Sequence, residues 1–361
     1  MADIERLLEA LSNAYGPPGF EGPVATVVRA ELEPLADAIQ TDGLGSLMAR
    51  LGPAERRPRV MLTAHMDELG LMVRRVTPEG YVKFQPLGGW LDQALINQRW
   101  VILTHAGPVP GITGIKTVHV MEPEARKKLF ERTDMFIDVG ARSAEDAAGR
   151  LGIRPGDPIV PDSRFTPLAG GELYLGKAWD DRAGLAVMIE VMRALRDAPP
   201  AAATTFAVAT VQEEVGLRGA ETSAYEVAPD VGVNLESGVA GDYPGITPDE
   251  AQERLGGGPS LFLHDSSMLP NLRLRDFVLE VARDLGIPVQ FNVLTGYGQD
   301  GAAMQRTRGG APAINIAVPT RYLHSHNGVI ARADVEATIR LVADVVRRLD
   351  GATVASLRDF S

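Results

Sequence analysis

Short apolar, β-favouring runs alternate with amphipathic helical stretches through most of this chain. That alternation limits the fold more than any other feature. Helical spacing marks residues 3–13 and 23–36, with Pro17, Pro18 and Gly19 breaking between them. Strands are expected at 46–49 and 59–64. From residue 183 onward AGLAVMIEVMRALRDA reads as a helix, TTFAVATVQ and DVGVNL as strands and LRLRDFVLEVARDLG as a helix. PVQFNVLTG and APAINIAVP then read as strands, and ADVEATIRLVADVVRRL closes the chain as a long amphipathic helix. Strands that alternate with helices pack as a mostly parallel sheet covered on both faces, so the fold class is α/β.

Residues 69–165 break the rhythm. Strand candidates at 72–76, 81–85, 100–105 and 114–117 are separated by Gly and Pro, and only 122–131 and 144–151 have helical spacing. The expectation is a small β-rich domain at 69–165, inserted into a discontinuous domain made of 1–68 and 166–361.

Composition narrows the chemistry. Among 361 residues there is no cysteine, which excludes disulfides, thiol nucleophiles and Cys-ligated metal. Lys and Arg number 36 against 47 Asp and Glu, a net charge of −11 that repels nucleic acid and anionic membrane surfaces. No apolar run approaches the ~18 residues of a membrane helix. MADIERLLEAL carries acids where a secretion signal carries positive charge. The expectation is a soluble, cytoplasmic protein.

Histidines and carboxylates remain as candidate chemistry. His65 ends the run RVMLTAH, and Asp67 shares its face of an extended segment, which suits an imidazole ligand backed by a carboxylate. Asp180 and Asp181 stand before a helix. One acid suffices as a cap, and two suit a carboxylate that bridges two cations beside a supporting neighbour. Glu213 and Glu214 follow TTFAVATVQ, where one could ligate and the other act as a base. Glu236 follows DVGVNL, and His324 follows AINIAVPTRYL. Sites in open parallel sheets form outside the carboxyl ends of strands; the segments of His65, Glu214 and Glu236 end strands, His324 follows one within a short loop, and Asp180 opens a helix. Two histidines with three carboxylates suit zinc, cobalt or manganese better than calcium or magnesium.

AHMDELG, GKAWDDRAG, VQEEVGLRGA and RYLHSH resemble, in order and spacing, the tetrahedral aminopeptidases. These are dinuclear-metal exopeptidases with glutamyl, leucyl and deblocking members. The resemblance runs from GPPGFE and TDGLGSL to the last helix. It implies a three-layer α/β/α peptidase domain with an inserted β-barrel-like dimerisation domain. By position, His65 and Glu236 would bind one divalent ion and Glu214 and His324 another, with Asp180 bridging them. Zinc is the expected metal, with cobalt or manganese as alternatives. Glu213 would be the general base on a water held between the two ions, and Asp67 the support for His65. A cis peptide between Asp180 and Asp181 would also follow. The implied activity is release of N-terminal residues from short peptides, by a homo-oligomer that is a tetrahedral dodecamer. A deacylase on the same scaffold and a non-catalytic oligomeric scaffold are the alternatives.

Three features depart from the family pattern. Glu236 stands where the family has Asp, and His326 stands where it commonly has Pro, offering one more candidate donor. The loop GYGQDG differs in detail. It also matches the dinucleotide motif G-x-G-x-x-G, but Thr320, Arg321 and Tyr322 stand where an acid is wanted, and the nucleotide reading is rejected.

Overall fold

The computed structural model describes residues 4–200 and 202–359. Residue 3, where the first expected helix begins, lies outside them. The first helix, Ile4–Asn13, buries Ile4, Leu7, Leu8 and Leu11 at helical spacing. Gly22–Leu32 follows the Pro-Pro-Gly break.

Four parallel strands form the centre of the molecule, in the order Thr204–Thr210, Arg59–His65, Val231–Val239 and Ala313–Arg321. Their near-continuous apolar runs are buried on both faces, as a covered parallel sheet requires. The helix Trp179–Asp197 packs across this centre and Arg332–Arg348 packs beside it. Both flanks are antiparallel. Ala38–Thr41 and Leu47–Leu51 lie on one side, and Gly328–Ala331, Leu173–Gly176 and Thr166–Leu168 on the other. The sheet is therefore mixed: parallel at the centre, and again where Gln290–Val293 pairs with Ser260–His264, which itself joins Ala313–Arg321 antiparallel. The reason is connection length, since parallel neighbours need a crossover and residues 322–327 are too few to make one.

The expected β-rich insert contains a closed barrel. Its strands run Gly70–Val76, Val82–Leu87, Phe136–Asp138, Gly107–Gly114, Arg99–Thr104 and Pro158–Pro161, all antiparallel, and return to the first. It has its own core around Leu71, Val73, Trp100, Ile102 and Ile137. Two local expectations fail here. The strand expected at 114–117 ends at Gly114 and begins instead at Gly107. The stretch 122–131 is not an α-helix and holds one short 3-10 turn, Ala125–Lys127, which buries nothing. Without an apolar face to pack, so short a helix has nothing to offset its nucleation cost.

Candidate metal centre and catalytic site

The carboxyl ends of the central strands meet the start of the Trp179–Asp197 helix. His65 is the last residue of its strand, and Glu213 and Glu214 follow Thr204–Thr210 after Val211 and Gln212. Glu236 lies inside Val231–Val239, not past its end, but that strand pairs with the His65 strand only as far as Asn234. It therefore overhangs its neighbour and still faces the site. His324 sits in the turn after Ala313–Arg321 with a positive φ of 54°, a conformation that costs a non-glycine residue of order 1 kcal/mol or more.

Asp180 is the centre of the arrangement. Its Oδ1 is 2.9 Å from His65 Nε2, and its Oδ2 is 3.5 Å from His324 Nε2. Glu236 Oε1 lies 3.7 Å from His65 Nε2, and Glu214 Oε2 lies 3.9 Å from His324 Nε2. Two triads result, His65–Asp180–Glu236 and Asp180–Glu214–His324, each with donor atoms within 4.8 Å of one another. Asp180–Asp181 is a cis peptide. The two aspartates divide the work: Asp181 accepts from Gly184 N at 3.0 Å as a helix cap and from His65 N at 3.1 Å.

Both imidazoles are oriented the same way. His65 Nδ1 donates to the carbonyl of Asp67 at 2.9 Å, and His324 Nδ1 donates to the carbonyl of Gly89 at 2.7 Å. A carbonyl only accepts, so each Nδ1 carries a proton, and Nε2, the nitrogen that faces Asp180, is the one left to ligate a cation. Asp67 thus orients His65 through its main chain, with its carboxylate at 3.5 Å. That carboxylate instead accepts from Glu213 N and Glu214 N, both at 3.0 Å, and fixes the turn that carries the glutamate pair.

The electrostatics show what the cluster lacks. Burial pushes the Glu213 and Glu236 carboxyls well above the usual carboxylate range, and the surrounding carboxylates push the same way. Burial, with Asp180 adding to it, takes Glu214 to about 8. Burial would lower both histidines, yet the bonds to Asp180 hold His65 well above its ordinary value and His324 at about 9. Glu214 Oε1 is buried with no hydrogen-bond partner. Crowded acids, two oriented imidazoles and an orphaned carboxylate oxygen are a donor set that fits divalent cations.

Several contributors were not legible in the sequence. Asp300, from the GYGQDG loop, accepts from Thr210 Oγ1, and its charge bears on Glu213. Gly88 and Gly89 come from the barrel side. A Cβ at Gly88 would stand 3.1 Å from Glu214 Oε2, and one at Gly89 3.1 Å from His324 Nδ1, so the loop must be this bare to approach. Glu68 holds Lys177 at 2.7 Å and Gly16 N at 3.0 Å, tying the approach to Asp180 onto the N-terminal loop. His326 does not join the cluster. Its Nε2 donates to Arg99 O at 3.1 Å, and its ring packs edge-on to Trp100 at 4.2 Å.

The chain as a whole is similar to known proteins. The family model described as M42 glutamyl aminopeptidase matches residues 45–341. The chain is 31% identical over 358 residues to the glutamyl aminopeptidase of Lactococcus lactis subsp. cremoris, covering 98% of each. It superposes on the TET aminopeptidase of Thaumarchaeota archaeon SCGC AB-539-E09 with TM-score 0.95 and 43% identity, covering 98% of each chain. A further neighbour is the TET1 peptidase of Pyrococcus horikoshii, which can assemble into a tetrahedron or a large octahedral shell. There the TM-score is 0.86 and the identity 29%, over 96% of this chain and all of that one.

Proposed function

The chain belongs to the M42 glutamyl aminopeptidase family, and from that premise we propose that it is a dinuclear-metal aminopeptidase that removes N-terminal residues from short peptides. The observation that carries this reading is the split carboxylate of Asp180, one oxygen toward each Nε2, with a glutamate completing each triad. His65 and Glu236 would hold one ion and Glu214 and His324 the other, with Asp180 shared. The donor set suits zinc, with cobalt or manganese as alternatives. When bound, the ions would polarise the scissile carbonyl and make an attacking water more acidic.

The rest is done by the chain. Glu213 lines the cavity beside both triads and is the general base. It takes a proton from the attacking water and delivers it to the leaving amine. Asp67 holds the main chain of Glu213 and Glu214 in place, so base and ligand keep their spacing through the cycle. The same reading gives a tetrahedral dodecamer formed through the inserted barrel.

The test is a panel of aminoacyl and N-acyl p-nitroanilides, assayed after metal removal and reconstitution with zinc, cobalt or manganese, with metal content measured in parallel. Two ions per chain and cleavage of free-amine substrates are expected. Cleavage of N-acyl substrates alone would make the protein a deacylase. Absence of bound metal would remove the mechanism.

A further inference from the structure

The site opens on a cavity of about 370 Å³. Its charged lining is the cluster already described. The remainder is Gly89, Gly216, Leu217, Gly296, Tyr297 and Gly298. Among these described residues there is no lysine or arginine. The Tyr297 hydroxyl is committed, donating to Ser237 O at 2.7 Å. Two glycines widen the space, because a Cβ at Gly216 or Gly296 would meet nothing within 4 Å. They differ in why they are glycine. Gly216 has a φ of +124°, which a side chain would strain, whereas Gly296 is outside the positive-φ region. The bareness of Gly296 is therefore not demanded by the backbone, and its effect is room.

We propose that this cavity receives the side chain of the substrate's N-terminal residue, that it selects large uncharged side chains over acidic and basic ones, and that Gly296 sets how large. The proposal rests on the aminopeptidase reading and names its substrate class. An acidic side chain would find no lysine or arginine in the lining, and the charge of the two ions would already be met by Asp180, Glu213, Glu214 and Glu236. A basic side chain would find only carboxylates assigned to the ions and to proton transfer. Both would leave a charge desolvated without a partner, which sites reject strongly. An apolar side chain meets Leu217, the Tyr297 ring and glycine backbone, and gains by leaving water.

The experiment uses the metal-reconstituted protein with Leu, Phe, Ala, Glu and Lys p-nitroanilides, comparing wild type with Gly296→Leu. Wild type should prefer Leu or Phe over Ala by roughly tenfold or more in kcat/KM, with Glu and Lys below both. Gly296→Leu should lower the Leu/Ala and Phe/Ala ratios by about tenfold. Gly296→Ala should shift them in the same direction by less, and serves where the larger variant folds poorly. Thermal shift by free L-leucine, L-glutamate and L-lysine is an independent readout. Only leucine should raise Tm, and Gly296→Leu should abolish the rise. Glu or Lys as the best substrate, or ratios unmoved in both variants, would overturn the pocket assignment while leaving the aminopeptidase reading intact. No cleavage of any of the five would instead overturn the aminopeptidase reading, and the pocket with it.

Discussion

Glu213 and Glu214 are adjacent, identical in chemistry and held by the same carboxylate of Asp67, yet only Glu214 stands within a triad whose donor spacing could hold a metal ion. Glu213→Gln keeps size and polarity but removes basicity. Both ions should stay bound, Tm should hold, and the rate should fall roughly 10²–10⁴-fold. Glu214→Gln replaces an anionic ligand with a neutral one, so metal content and Tm should fall and excess metal should partly restore activity. Metal titration of both variants decides, and swapped phenotypes would reverse the assignment. The types of these residues were legible because H-x-D, paired acids and strand ends follow from the chain alone. Which atom of Asp67 does the orienting was not, because that depends on how two distant strands meet. Glu253 is an acid of another kind, outside the cluster. It is buried, bonded to Asn292 Nδ2 at 2.5 Å, and burial raises it to about 7. A raised carboxyl favours the folded state when neutral, so its contribution is fullest below the unfolded value of 4.5. That contribution is lost as pH rises through about 7, a cost of about 3 kcal/mol. Glu253→Gln removes this dependence. Its Tm should exceed wild type by more at pH 8 than at pH 5, and an equal difference at both would refute the assignment.

At the scale of elements, the barrel reaches into the site through one loop. Gly89 O accepts a hydrogen bond from His324 Nδ1, Trp90 Nε1 donates to Gly70 O at 3.0 Å, and His326 is wedged against Trp90 and Trp100. The turn bearing His324 is thus clamped on the barrel two residues beyond the ligand. His326→Ala should loosen that clamp and weaken one of the two ions by roughly tenfold, leaving the other nearly unchanged. Competition with a chelator, read as stepwise loss of metal, checks this, and equal loss of both ions or none would refute it. The central strands were legible because buried parallel strands are continuous apolar runs. Gly107–Gly114 was hidden by Pro108 and Pro110, which read as breakers. Thr113 N donates toward Gln98, so Pro108 and Pro110, at odd spacing from it, turn their missing donors to the opposite side. There Phe136–Asp138 pairs only with Ile112–Gly114, and no bond is lost. The reverse error at 122–131 comes from helical spacing without any face to bury.

At the scale of the whole molecule, the barrel side carries apolar surface that a lone chain leaves in water. Ile112, Val118, Val120 and Leu129 are exposed, Leu129 by 77%. Leu269 and Leu272 are exposed as well, outside the barrel side, so exposed apolar side chains are not confined to it, but those on this inserted unit offer a surface for association. The unit contributes only a loop to the site, which leaves its outer surface to be explained. Closed assembly would set the sites around an internal space, so that short or unfolded peptides reach them and folded proteins do not. Light scattering of the metal-loaded protein at micromolar concentration should give a mass twelve times that of the chain. The double substitution Val120→Asp and Leu129→Asp should lower that mass by placing charge where apolar groups would be buried. It should leave metal content unchanged, since neither residue belongs to either triad. An octahedral shell, as the Pyrococcus horikoshii neighbour can form, would keep the barrel as the contact and overturn the twelve-chain count. A wild-type monomer or dimer would overturn assembly itself. A double variant that stays at full size would move the contact away from these residues.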